Sequence, residues 1–146
     1  MPTPFMHLYM AEQVRHHVQK MSHTAVLHRL LCAEWAAFYL GSVAPDFQAI
    51  CHVPRETTHF YPIPPEPDDE GAFDRLLAQY DFLTAVGDLS PAHAVFIAGY
   101  GAHLLYDLIW DSAILTPRFR LAEWDEVRAR FMGYNTLLTY LDRQVL

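Results

Sequence analysis

The sequence predicts an all-α fold, a single-domain bundle of about five to six helices with one long proline-rich loop. Three observations carry this. Apolar residues recur at helical spacing along most of the 146 residues, with no alternating strand pattern. Cap and stop signals bracket the periodic stretches. Apolar residues make up 52% of the chain and aromatic ones 14%, enough for one packed core, so residues 1–146 read as one domain.

The elements follow in order. From Pro4 to Lys20, Phe5, Leu8, Tyr9 and Val14 trace a first helix. A second runs from a Ser22 cap to a stop at Gly41. In "GSVAPD" Pro45 pushes Ala44 out of the α region and breaks the helix. From Phe47 to Gly71 the chain reads as irregular, with Pro54, Pro62, Pro64, Pro65 and Pro67 ahead of the acids Asp68, Asp69 and Glu70. A connection this long inside one domain is usually functional or mobile. A third helix spans Gly71 to Val86. Ser90 caps a fourth, Pro91 takes its first position, and it continues to Leu115. Pro117 opens a fifth, "PRFRLAEWDEVRARF", and "GYNTLLTYLDRQVL" forms a sixth.

The net charge of -7 argues against a nucleic-acid surface built on bulk positive charge, though a bound cation can still hold a phosphate locally. No apolar run is long enough for a membrane span, and the N-terminal stretch lacks a basic signal-peptide region. Cys32 and Cys51 form no CxxC motif. These features predict a cytoplasmic protein with reduced thiols. HExxH, GxSxG, GxxxxGK[ST] and His-Asp motifs are all absent.

The fourth helix raises the functional question. "GYGAHLLYDLIWDSAI" is apolar on nearly every side, yet carries His103, Asp107 and Asp111 four residues apart, near one face. A His and an Asp four residues on can reach one zinc ion. The same pair also suits a buried hydrogen bond without metal, and the spacing alone leaves both open.

Four stretches together resemble the zinc-dependent phospholipase C family, which is related to the single-strand-specific zinc nucleases. "MHLYMAEQV" resembles the family's N-terminal His-containing helix, "YLGSVAPD" its LG-small-x-APD turn, "THFY" its His-Phe element, and "GYGAHLLYDLIW" its GY-xx-HLL-x-D-xx-W helix. They run in the family's order from His7 to Trp110; the segment after Pro117 matches nothing. The resemblance implies a helical hydrolase of phosphoesters, phospholipase C-like or nuclease-like. Its metal ligands would be His7, Asp46, His59, His103 and Asp107. Asp46, His59 and His103 would complete one zinc ion, His7, with or without the N-terminal amine, would help hold another, and Asp107 would bridge the two. Asp46 would either accept the attacking water's proton or only ligate. The three-zinc members carry two more histidines and a glutamate downstream, whereas this chain has no histidine after His103, so two zinc ions per chain are expected. The substrate would be a small phosphoester, a phospholipid headgroup or a nucleic-acid phosphate. The alternatives are a non-catalytic metal-binding protein and a metal-free helical interaction protein.

The remaining residues have plainer expectations. Asp111 is expected to be either a surface acid or one that orients a ligating histidine from behind. His52 is the substitute ligand. His16, His17, His23 and His28 read as solvated or capping, and His93 as facing a neighbouring helix. Trp35, Phe60, Tyr61, Tyr100 and Trp110 read as core or pocket wall. Gly99 and Gly101 admit close helix packing.

Overall fold

A computed structural model describes residues 1–21, 25–65 and 71–146. The Ser22 cap, His23, Pro67 and the acids Asp68, Asp69 and Glu70 lie outside the described residues. Among the described residues the chain is helical and has no strand.

Helix α1, Pro4–Lys20, starts as its sequence dictates: the Thr3 side chain accepts from the Met6 N–H and Pro4 opens the first turn. The expected second helix is two, α2 (Ala25–Ala33) and α3 (Trp35–Val43), kinked at Glu34. Within α3 the i,i+3 and i,i+4 spacing lets Trp35 stack on Phe38 at 5.2 Å and meet Tyr39 edge-on at 4.6 Å. Gly41 does not stop the helix. It lies where α3 crosses α7 (Pro91–Trp110), and a Cβ there would stand 2.1 Å from the Phe96 carbonyl oxygen. On α7, Gly99 answers it, with its Cβ position 2.3 Å from the Phe38 oxygen. Gly101 receives the Phe73 ring in the same way. Both packing expectations hold for the fourth helix, while the glycine read as a terminator proves to be a third contact glycine.

Pro45 does not push Ala44 out of the α region, since Ala44 has φ −59° and ψ −37°. The chain instead tightens into a 3-10 turn, Ala44–Phe47, and passes into α4, Gln48–Cys51. A second single turn, α5 (Glu56–His59), interrupts the stretch read as irregular. Helix α6 covers Ala72–Gln79, shorter than expected, and 3-10 turns at Asp81–Thr84 and Val86–Asp88 carry the chain to Ser90. The Ser90 hydroxyl caps α7 by accepting from the His93 N–H at 3.3 Å.

After Trp110 the helix widens into π winding, Asp111–Arg120, with Pro117 inside it. Pro117 therefore opens no fifth helix. Residues 121–126 leave helical structure, and Trp124 donates to the Arg118 oxygen and covers Gly133. The last helix, α8 (Val127–Val145), begins earlier than expected and runs through Gly133.

Two apolar clusters hold these elements. One joins Ala11, Val18, Leu31, Phe38 and Val95; the other joins Phe60, Tyr61, Ala72, Leu76 and Leu104. Ala102 packs on the first and Leu104 belongs to the second, so His103 stands between them. Each fully buried Leu, Val or Phe contributes about 1.5–3 kcal/mol. That is enough to offset the about 1–3 kcal/mol that an unpartnered buried polar atom costs. No helix among the described residues is long and apolar enough to cross a membrane.

Candidate metal centre

Five side chains predicted from four separate segments meet between the two clusters. His7 comes from α1, Asp46 from the 3-10 turn after α3, His59 from the end of α5, and His103 and Asp107 from α7. His7, His59, His103 and Asp107 are at most 1% exposed, whereas Asp46 is 28% exposed.

The proton positions follow from the contacts. His103 Nδ1 lies 2.9 Å from the Ser42 carbonyl oxygen, which can only accept, so Nδ1 carries the hydrogen. The close α3–α7 crossing at Gly41 and Gly99 is what brings that carbonyl within reach. The Thr58 hydroxyl donates to the Arg55 oxygen at 3.2 Å and so accepts from His59 Nδ1 at 2.9 Å. Both imidazoles therefore present a bare Nε2, and these two atoms face one another at 3.3 Å. Burial, followed by the charge on His7, pushes the His103 pKa down to about 4, so its ring is neutral at pH 7.

Carboxylate oxygens close the figure. Asp46 Oδ1 lies 3.6 Å from His59 Nε2 and 3.9 Å from His103 Nε2. Asp107 Oδ2 lies 3.5 Å and 3.7 Å from the same two nitrogens. Four acceptors thus converge without a hydrogen between the two rings. A zinc ion holding N and O ligands at about 2.0–2.2 Å spaces tetrahedral ligands about 3.3–3.6 Å apart. The donor types suit that ion, and separations of 3.3, 3.5 and 3.6 Å lie within that range while 3.7 and 3.9 Å lie just outside it.

The second half is looser. His7 stacks on His103 with ring centroids 3.7 Å apart. Its Nε2 lies 3.3 Å from Asp107 Oδ1, misaligned for a hydrogen bond, and among the described residues neither atom has a hydrogen-bond partner; nor does His7 Nδ1. His7, His103 and Asp107 form one possible ligating group and Asp46, His59 and His103 another. One lone pair on His103 serves one ion, so the groups compete for it. Burial pushes the Asp107 carboxyl up, but His7, His103 and Arg55 outweigh it and hold it below the usual range. The Met1 amine, offered by the resemblance as a further ligand, donates to Tyr134 Oη at 2.5 Å.

Some expectations need correcting. Asp111 is buried, but its contacts are Thr116 Oγ1 at 2.6 Å and both terminal nitrogens of Arg120 at 3.0 Å, and not a ligating histidine. The cause is the π winding. Nine residues of α-helix at 100° each would put Arg120 on the opposite side from Asp111. The wider i→i+5 winding closes about two turns instead and stacks them. His52 is exposed, in the left-handed region at φ 56°, and belongs to neither ligating group. His93, expected to face a neighbouring helix, is exposed, and His16 and His17 are exposed as expected. Phe60 and Tyr61 are buried, as expected of core aromatics.

One residue was missed. Arg55 Nη2 donates to Asp107 Oδ2 at 2.5 Å and to Tyr61 Oη at 2.9 Å, and the guanidinium lies 4.7 Å from the Tyr61 ring centroid. The available signal was spacing. Arg55 precedes His59 by four residues, as His103 precedes Asp107, and His59 N–H donates to the Arg55 oxygen in the same turn. Phe60 ends that turn at φ 61°, its carbonyl held by Arg75, and Tyr61 follows directly into the buried side.

Asp46 also lines an open groove of about 540 Å³ whose other lining residues are Pro4, Leu40, Val43, Ala44, Phe47, Ile50 and Phe96. Comparisons with known proteins leave this geometry to stand alone, since no protein-family model, curated protein or solved structure matches the chain.

Proposed function

We propose that the chain is a metal-dependent hydrolase of phosphoesters working with two zinc ions. One observation carries the reading: two buried, bare histidine nitrogens lie 3.3 Å apart, each with a carboxylate oxygen of Asp46 and one of Asp107 within 3.9 Å. The order of the four sequence stretches supports it. Asp46, His59 and His103 would hold one ion, His7 would hold the other, and Asp107 would bridge through its two oxygens. Such a pair of cations supplies charge stabilisation to a phosphoryl group and lowers the pKa of a water. Asp46, the exposed member of the set, would accept a proton from the attacking water or act as a ligand alone. The apolar groove beside Asp46 favours a phosphoester with an apolar arm, such as a phospholipid, and the charge of -7 weighs against a polynucleotide.

One observation favours the metal-free interaction protein instead: Arg55 already neutralises Asp107. Untagged protein purified without chelator decides between them. The expected result is one to two zinc equivalents per chain, a melting temperature lowered by EDTA, and hydrolysis of bis-p-nitrophenyl phosphate or phospholipid at neutral to mildly alkaline pH. Protein that takes up no zinc and melts unchanged after zinc addition overturns the metal site. Zinc-loaded protein inert toward phospholipids, nucleic acids and simple diesters leaves a non-catalytic metal-binding protein.

A further inference from the structure

We propose that Arg55 is the phosphate-binding cation of this site. Its guanidinium rests on Asp107 until metal ions take that carboxylate, and then turns to the phosphoryl oxygens of the substrate. The inference rests on the di-metal reading and adds the group that recognises the anion.

The argument starts from one oxygen. Asp107 Oδ2 lies within 3.7 Å of both facing histidine nitrogens, so an ion held by those nitrogens lies beside it. Arg55 Nη2 stands 2.5 Å from the same atom. A divalent cation and a guanidinium placed on one oxygen repel each other across a few ångströms of protein interior. An ion taken by that oxygen therefore displaces the arginine, while the opposite oxygen, Oδ1, has no hydrogen-bond partner among the described residues.

The displaced group is prepared for an anion. Arg55 Nη1 is buried and has no hydrogen-bond partner among the described residues even while Nη2 has two acceptors. A guanidinium with a spare donor beside a committed one suits the paired oxygens of a phosphoryl group. The buried Tyr61 ring under its face keeps the guanidinium at the site when the carboxylate lets go. Exposure places it on the substrate's side. Arg55 is 18% exposed and Asp46 28%, whereas His59, His103 and Asp107 are sealed. An arriving anion thus meets the arginine at the rim, with the ligating atoms behind it.

The test measures two affinities on the full chain, zinc for stripped protein and inorganic phosphate for zinc-loaded protein, both by calorimetry. Arg55→Gln removes the competitor and the clamp together. Zinc is expected to bind at least as tightly as to the parent, and phosphate about 10–100-fold more weakly, the range for losing hydrogen bonds to a charged group. Arg55→Lys keeps the charge and loses the fork. It covers the case in which the glutamine variant fails to fold, with zinc binding expected near the parent's and phosphate about tenfold weaker. Phosphate affinity unchanged in variants that bind zinc overturns the clamp and leaves the di-metal reading intact. Zinc binding weakened with phosphate affinity unchanged makes Arg55 a mere support for Asp107, which also overturns it. A parent protein that binds no zinc overturns both readings.

Discussion

Asp107 and Asp111 are buried carboxylates one turn apart on the same helical row, and their surroundings differ in kind. Asp111 has a closed set of donors, a bidentate Arg120 and the Thr116 hydroxyl, all from its own helical segment. Asp107 draws its neighbours from elsewhere: His7 from α1, Arg55 and His59 around α5, Tyr61 beyond it, and only His103 from α7. One of its oxygens is without a hydrogen-bond partner and the other is contested. A carboxylate that holds a fold together is satisfied locally and completely. A carboxylate kept incomplete among bare imidazole nitrogens, at the junction of distant segments, is poised to take something more.

The strongest way to break this comparison is to neutralise each acid in turn. Asp107→Asn is expected to lose bound zinc and to lower phosphoester hydrolysis by about a thousandfold or more, the scale of removing a whole catalytic element. Asp111→Asn is expected to keep its zinc and instead lose about 2–4 kcal/mol of stability, since a buried, arginine-paired charge is disrupted. Metal analysis and urea unfolding of both variants read this directly; zinc lost from the Asp111 variant and kept by the Asp107 variant would reverse the assignment.

A smaller effect sharpens the comparison through the backbone. Gly99→Ala puts a methyl group 2.3 Å from the Phe38 carbonyl oxygen, so α3 and α7 must separate. The expected cost is about 3 kcal/mol, with weaker zinc binding because the Ser42 carbonyl leaves His103. Gly87→Ala, with nothing within 4 Å of its Cβ position, is the neutral control in the same melting experiment.

The effect smallest for each unit step is a pH dependence. His103 has its pKa lowered from 6.5 to about 4, so between those values the native chain binds fewer protons than the unfolded one. Stability of the EDTA-treated protein should therefore fall as pH drops from 6.5 to 4, by at most about 1.4 kcal/mol per pH unit. Asp107, with a lowered pKa, adds to the loss only at the acid end, below its unfolded value of 3.8. His103→Gln should flatten the slope in urea titrations at pH 7 and pH 5, and a slope left unchanged would show that another group is responsible.

Helical periodicity made the fold class legible, and the Thr3-Pro4 and Ser90-Pro91 starts were legible because cap chemistry is local. Pro117 was misread because proline marks a helix start in sequence, while here it rides inside a π winding. The same widening hid the partner of Asp111, which ordinary helical spacing places on the wrong side. The five metal-ligand candidates were found through motif order, and their convergence is a tertiary fact. Arg55 carried no motif and stood in a proline-rich stretch where periodicity gives no facing direction, so its contact with Asp107, 52 residues on, was not legible.

The stacked rings of His7 and His103 have a consequence for the order of folding. About a hundred residues separate them, so their contact carries the loop-closure cost that slows non-local pairing, while individual helices form early. The cluster is therefore among the last parts of the chain to be completed. Interactions absent from the folding transition state act on the unfolding rate. A cation held between α1 and α7 would accordingly leave the speed of folding nearly unchanged and lengthen the lifetime of the folded chain.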